Sequence, residues 1–174
     1  MIRHTTILLL AWVPLVHADE MPHRKAGLWQ IVTQPSNPQS KPMTHKLCLD
    51  KETEVLLNRM SSGVLQQDCA RNDMHVSGGK LIMHAVCGFG GSQQTSDAVI
   101  TFSGDTGYSA ETHARFDPPL MGHAESRTTQ QGKWVSACPV GMQPGDMVMT
   151  DSRGREVHMN LRKMLQSDRR RRPS

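Results

Sequence analysis

The chain has 174 residues, enough for one domain with a modest core, and only 4% of them are aromatic. Five of its 20 basic residues are Arg3 and the run Arg169–Arg172, which leaves 15 basic residues against 16 acidic ones elsewhere. A nearly neutral body with few aromatic side chains does not provide the basic, base-stacking surface that nucleic-acid binding requires, so we expect no nucleic-acid partner.

Residues 1–18 have the three-part order of a secretory signal peptide. A positively charged start precedes the apolar stretch Thr6–Val16, and Val16-His17-Ala18 places compact residues at the cleavage positions. The stretch is shorter than the ~20 residues that a membrane-spanning helix needs, and no later segment is as apolar. We expect cleavage after Ala18, a periplasmic location with no remaining transmembrane segment, one domain over residues 19–166, and a basic disordered tail over 167–174.

Two strands and a helix are predicted in the first third of the mature chain. Gly27–Thr33 is rich in aromatic and β-branched residues, and Met43–Leu49 resumes an extended pattern after the proline-containing loop Gln34–Pro42. Asp50 is then a typical helix N-cap, and apolar residues at helical spacing follow it as far as Met60. We therefore expect a helix over residues 50–60.

A β-hairpin is predicted around Gly78-Gly79. Two glycines between alternating apolar residues are a common two-residue hairpin turn. This turn would set Val76 opposite Leu81 and Met74 opposite Met83, which pairs apolar residues on both strands.

The chain has four cysteines, and an even number after a signal peptide indicates two disulfides. Three pairings are possible. The hairpin leaves Cys69 one step out of line with Cys87, and a bulge near Asn72-Asp73 would align the two. Cys69–Cys87 is therefore the preferred bond, with Cys48–Cys138 by elimination. Zinc is the competing interpretation, but the close cysteine spacing of structural zinc sites is absent.

Further strands are predicted beyond the hairpin. Thr95–Ser103 is followed by Tyr108–Phe116, which alternates most clearly and ends at Asp117-Pro118-Pro119. His123–Thr129 and Lys133–Ala137 form two more segments, separated around Gln131-Gly132.

The last part of the domain shows a different pattern. Pro139–Gly154 is rich in glycine, proline and methionine and is expected to be irregular, whereas Val157–Gln166 has apolar residues at helical spacing and predicts a short C-terminal helix.

Short sequential strands imply antiparallel pairing. We expect a mainly β fold, bordering on α+β: a curved antiparallel meander sheet or partial barrel of about six or seven strands.

Several short motifs resemble the bacterial exported family known as domain of unknown function 3617. They are Met21–Trp29, Cys48-Leu49-Asp50, Phe102–Thr106, and Cys138-Pro139 followed by Met142–Met147. The resemblance extends from about Met21 to Leu165. It implies an exported protein without an established activity, and it supplies no catalytic residues.

One strand face is a candidate ligand surface. Tyr108, Ala110, Thr112 and Ala114 share a face with mostly small side chains, which would leave room for a small apolar ligand or a partner protein. The helix over residues 50–60 could equally cover this face. We expect a non-catalytic binding or protein-interaction module.

The sequence contains no arrangement typical of a catalytic or cofactor site, so no catalytic residues and no cofactor are predicted. Methionine is in excess near the C-terminus, and thioethers with an imidazole suit Cu(I). Met147, Met149 and His158 are therefore candidate Cu(I) ligands, and periplasmic Cu(I) handling is the alternative function. The other interpretation is that these methionines fill an irregular core.

Overall fold

The computed structural model describes residues 22–37, 39–61, 69–150, 154–164 and 166. The predicted signal peptide and the Arg169–Arg172 tail lie outside the described residues. In the described part of the chain, nine antiparallel strands form one open sheet, accompanied by helix α1 and a short helical segment near the C-terminus. The elements are β1 Gly27–Pro35, β2 Met43–Leu49, α1 Lys51–Ser61, β3 Cys69–Ser77, β4 Lys80–Phe89, β5 Ser92–Ser103, β6 Gly107–Leu120, β7 His123–Ser136, β8 Asp146–Thr150 and β9 Glu156–Asn160.

The strand order is β3-β4-β5-β6-β7-β1-β2-β8-β9. Strands β3 to β7 form a continuous meander, in which each strand pairs with the next along the chain. The β1–β2 hairpin joins this meander through β1, which pairs with β7, and the β8–β9 hairpin then pairs with β2. The mainly β prediction is confirmed, but the predicted number of six or seven strands is wrong.

The two additional strands lie where the sequence predicted other structure. β8 falls within Pro139–Gly154, which was expected to be irregular, and β9 occupies the start of the predicted helix over 157–166. Among the described residues of that segment, 161–164 and 166 are helical. Pairing with β8 supplies backbone hydrogen bonds that residues 157–160 could not have found as the first turn of an isolated helix.

Strands β6 and β7 are longer than predicted. β6 continues through Asp117-Pro118-Pro119 to Leu120, and β7 runs without a break through Gln131-Gly132. Gly132 pairs with Tyr108 on one side and with Ile31 on the other, so a glycine expected to interrupt the strand is held in its middle.

The hairpin between β3 and β4 has the predicted turn and register. Met74 is opposite Met83 and Val76 is opposite Leu81. The irregularity that aligns Cys69 with Cys87 lies between Cys69 and Arg71, not near Asn72-Asp73 as expected. The extra residue is therefore next to the disulfide, at the end of the hairpin farthest from its turn.

Disulfides join Cys69 to Cys87 and Cys48 to Cys138, the pairing that the hairpin favoured. The first links neighbouring strands, 18 residues apart in sequence. The second spans 90 residues and attaches the segment after β7 to β2, where Cys48 is completely buried. The two bonds thus act on opposite halves of the sheet.

Helix α1 begins directly after its cap. The backbone N–H of Thr53 donates to Asp50 Oδ1 at 2.9 Å, as predicted for an N-cap. Arg162 donates to Thr53 Oγ1 at 3.0 Å and also bonds Asp50, so the C-terminal turn is attached to the same helix end. Burial by itself would raise the pKa of Asp50, but the hydrogen bonds from Thr53 and the charge of Arg162 outweigh it and lower that pKa.

The core lies between α1, the C-terminal turn and the middle of the sheet. Side chains of β1 and β2 form its centre, and Leu56 and Leu57 of α1 pack against them. The buried members are Trp29, Ile31, Leu47, Leu49, Tyr108, Ala110 and Leu161. No helix in the described part of the chain is both long enough and apolar enough to cross a membrane.

Candidate binding cavity

A partly open cavity of about 250 Å³ lies between the sheet and α1. We call the side of the sheet that borders it the cavity face. Every strand from β1 to β8 contributes a lining residue, and α1 closes the remaining side with Leu57 and Asn58. Most of the wall is apolar and consists of Ile31, Leu47, Leu57, Met74, Leu81, Ile100, Phe102 and Met147.

A short chain of hydrogen bonds crosses the wall on the β6–β7 side. The Tyr108 hydroxyl donates to Gln130 Oε1 at 2.9 Å, and Gln130 Nε2 donates to Thr33 Oγ1 at 3.1 Å. Burial raises the pKa of Tyr108, although the nearby Arg24 opposes this. The phenol is therefore neutral at physiological pH, and its hydroxyl is one of the few polar groups at the cavity.

The Tyr108 ring lies directly against the backbone of Gly132 on β7. A Cβ atom added at Gly132 would be 2.0 Å from Tyr108 Cε1 and 2.5 Å from Cζ. Only glycine leaves this space, because real Cβ atoms do not approach ring carbons so closely. Gly132 thus fixes where Tyr108 lies, and with it one wall of the cavity.

Gly132→Ala is expected to lower the free energy of unfolding by about 2 kcal/mol, because either the Tyr108 ring or strand β7 must shift. Urea unfolding measures the change. Gly107→Ala is the matched control on the neighbouring strand: its Cβ would meet Ser103 Cβ at an ordinary 3.5 Å. Equal effects of the two substitutions would contradict the role given to Gly132.

Arg24 reaches the cavity from the segment before β1. Its backbone N–H and its Nε both donate to Glu54 Oε1 of α1, at 2.7 and 3.3 Å. The Glu54 side chain is only 6% exposed, and the Arg24 guanidinium carbon also lies 5.7 Å from the centre of the Tyr108 ring. Since each charge compensates the other, this side of the cavity has little net charge.

His45 of β2 is a further titratable residue at the cavity wall. Burial lowers its pKa, so its imidazole is neutral at physiological pH. Among the described residues, none forms a hydrogen bond or an ion pair with this side chain. The cavity is therefore mainly apolar, with a neutral imidazole, a phenol and two side-chain amides as its uncharged polar groups.

The four residues of the predicted ligand face lie on the cavity face, but only one of them lines the cavity. Tyr108 borders the cavity, whereas Ala110 belongs to the buried core and Ala114 is buried farther along β6. Thr112 is half-buried. Helix α1 contributes to the cavity wall, so it covers part of this face, and whether a ligand binds there stays a prediction.

The three predicted copper ligands do not converge. Met147 and Met149 are two residues apart on β8 and share a face, but His158 pairs with Val148, which lies between them. Since side chains alternate along a strand and paired residues share a face, His158 points to the opposite side of the sheet. There its Nε2 lies 3.6 Å from Glu156 Oε2, and the imidazole is exposed.

The opposite face of β4 to β7 carries exposed ion pairs. Asp97 contacts His84 Nδ1 at 2.7 Å and Arg115 at 3.1 Å, and His113 contacts Glu125 at 2.9 Å. The hydrogen bond from His84 lowers the pKa of Asp97. These groups are arranged as cross-strand pairs on a solvated surface, where Asp97 and His113 border an open depression of about 310 Å³.

Sequence reasoning missed Arg24, His45, Met74 and Gln130 as lining residues. For His45 a signal was available: it alternates with Leu47 and Leu49, which places it on their face. The remaining three come together only through long-range pairing of strands and docking of α1, which local patterns do not reveal.

The described residues thus form a disulfide-linked, mainly β protein with one antiparallel sheet, two short helices and a partly open, mainly apolar cavity. The chain belongs to the family described as protein of unknown function (DUF3617), whose model matches residues 24–138. The predicted family is confirmed, although the matched span is shorter than expected. No curated protein and no solved structure matches the chain. The span includes both disulfides and every cavity-lining residue except Met147.

Proposed function

We propose that this protein is an exported, non-catalytic binding protein that takes a small, mainly apolar ligand into the cavity under α1. The observation that carries the proposal is the 250 Å³ space with a wall of aliphatic, aromatic and thioether groups and a few uncharged polar groups. Such a lining favours an uncharged ligand with one or two hydrogen-bonding atoms, for which Tyr108 and Gln130 are suitably placed.

A curved sheet, approaching a partial barrel, is part of this proposal. Met74 of β3 and Met147 of β8 border the same cavity, although seven strand spacings separate them in the sheet order. In a flat sheet these strands would be about 34 Å apart. Contact of both with one small space supports a sheet that bends around its ligand.

Export to the periplasm is supported by the signal-like residues 1–18 and by the two disulfides. Structural disulfides persist in oxidising compartments and are rare in reducing ones. An exported carrier or sensor of apolar molecules would have both features.

The test is a pair of substitutions on one strand. Ile100→Phe places a larger side chain in the cavity wall, whereas Val99→Phe adds the same group on the opposite face of β5, where Val99 is 39% exposed. The probe is the neutral fluorophore N-phenyl-1-naphthylamine, whose emission rises on burial in an apolar site. We expect saturable binding by the natural sequence and by Val99→Phe, and loss of binding by Ile100→Phe.

Two results would count against a ligand-binding cavity: no saturable emission change with the natural sequence, or equal binding by both variants. Native mass spectrometry of protein purified from the periplasm gives an independent measurement. A retained small molecule supports the carrier role, whereas an empty chain together with absent probe binding favours an interaction with another protein.

A further inference from the structure

A cluster of soft metal ligands lies at the β2–β8 side of the cavity, and it differs from the one that the sequence suggested. Met147 and Met149 alternate with Val148 on β8, so both are on one face. His45 is the direct partner of Met149 across the β2–β8 pair, and Leu47 is the partner of Met147. His45 therefore shares the face of both methionines, which His158 does not.

The spacing of paired strands brings these three side chains within reach of one another. Directly opposite residues of an antiparallel pair have Cβ atoms about 5 Å apart, and diagonal ones about 7–8 Å. His45 and Met149 are opposite, and His45 and Met147 are diagonal. His45 and Met147 also border the same cavity, which confirms that their side chains point to one side.

The surroundings suit a soft monovalent cation. All three side chains are half-buried, so water is partly excluded from the site. No carboxylate lines the cavity, and the described residues contain no group of three or more His, Cys, Asp or Glu that could hold a metal ion. Thioether and imidazole ligands without carboxylates favour Cu(I) and its analogue Ag(I) over calcium, magnesium or manganese.

Packing alone would explain the two methionines, since Met147 packs against the core. It does not explain His45, whose half-buried imidazole has no hydrogen bond or ion pair within the described part of the chain. Every fully buried side-chain nitrogen in that part has a partner, so the imidazole nitrogens of His45 are accessible to water, and a metal ion can take the place of that water.

We propose that His45, Met147 and Met149 form a binding site for a soft monovalent cation, Cu(I) or Ag(I), on the cavity face between β2 and β8. This site goes beyond the proposed apolar ligand, because it requires only the β2–β8 pair. Either proposal can fail without the other.

Titration of the mature, disulfide-bonded protein with Ag(I) tests the site. Ag(I) needs no reductant, so the disulfides remain intact during the experiment. We expect one Ag(I) per chain by native mass spectrometry. In protein labelled with ¹³C at the methionine methyl groups, we expect the Met147 and Met149 signals to shift. This second readout needs no substitution and does not depend on how a variant folds.

Substitutions of similar volume then identify the ligands. Met149→Leu and His45→Gln are each expected to weaken Ag(I) binding by about ten-fold or more. His158→Gln and Met121→Leu are the controls, because His158 lies on the other face and Met121 is 93% exposed; neither should change the affinity.

Absence of one-to-one binding tighter than about 1 μM would overturn the site. Methyl shifts confined to other methionines would do the same, as would an effect of His158→Gln equal to that of His45→Gln. If Ag(I) binds as expected while N-phenyl-1-naphthylamine does not, the metal site is supported and the apolar carrier is not. The reverse result supports only the carrier.

Discussion

Replacing Cys48 and Cys138 together by alanine is expected to lower the free energy of unfolding by about 4.5 kcal/mol. The bond closes a loop with a sequence separation of 90 residues, and removing it releases that constraint in the unfolded chain. Alanine is the suitable replacement because Cys48 is fully buried, and a serine hydroxyl would add an unsatisfied polar group. Urea unfolding of the oxidised double variant measures the loss.

The second disulfide provides the matched control. Cys69 and Cys87 are separated by only 18 residues, so their replacement by alanine should cost less, about 3 kcal/mol. The order of the two losses is the informative result. A larger loss at Cys69–Cys87 would mean that native packing around the bonds, and not loop length, determines what each contributes.

Glu54→Gln is expected to reduce the free energy of unfolding by about 3 kcal/mol, because it leaves the Arg24 guanidinium without its compensating charge. Gln retains an oxygen that can accept from the Arg24 backbone N–H, so the loss falls mainly on the side-chain pair. Arg24 links the segment before β1 to α1, and this segment and α1 both border the cavity. Urea unfolding measures stability, and limited proteolysis measures release of the segment before β1.

A double substitution distinguishes charge from shape at this pair. Arg24→Met with Glu54→Gln removes the unpaired charge and keeps an apolar stem in its place, so the double variant should be more stable than Glu54→Gln alone. If the double variant is instead less stable than Glu54→Gln, with the two losses simply adding, the Arg24–Glu54 pair does not act as a unit.

Local signals were sufficient for the parts of the fold whose partners are close in sequence. The Gly78-Gly79 turn determines the β3–β4 register, and the irregularity between Cys69 and Arg71 then brings Cys69 opposite Cys87. The Asp50 cap likewise predicted the start of α1, since the residues joined by its hydrogen bond are only three apart in sequence. In each case the energy that selects the structure comes from neighbouring residues.

The order of the strands and the cavity depend on contacts that local patterns cannot show. β8 and β9 were missed because both strands are short, and because they are strands only through pairing of β8 with β2 and of β9 with β8. The same pairing decides which histidine accompanies Met147 and Met149. Sequence spacing pointed to His158, only nine residues from Met149, whereas the sheet places His45 directly opposite that residue.

The position of β1 in the sheet has a consequence for the route by which the chain folds. β1 is made first, but it pairs with β7, and the hydrogen bond between Gln130 and Thr33 joins residues 97 positions apart. The meander from β3 to β7 can form by successive local steps, whereas the β1–β2 hairpin must wait for β7 before it can be incorporated. We therefore expect the joining of these two halves to be the late, slow event. It is also the event that creates the cavity, because its walls come from both halves.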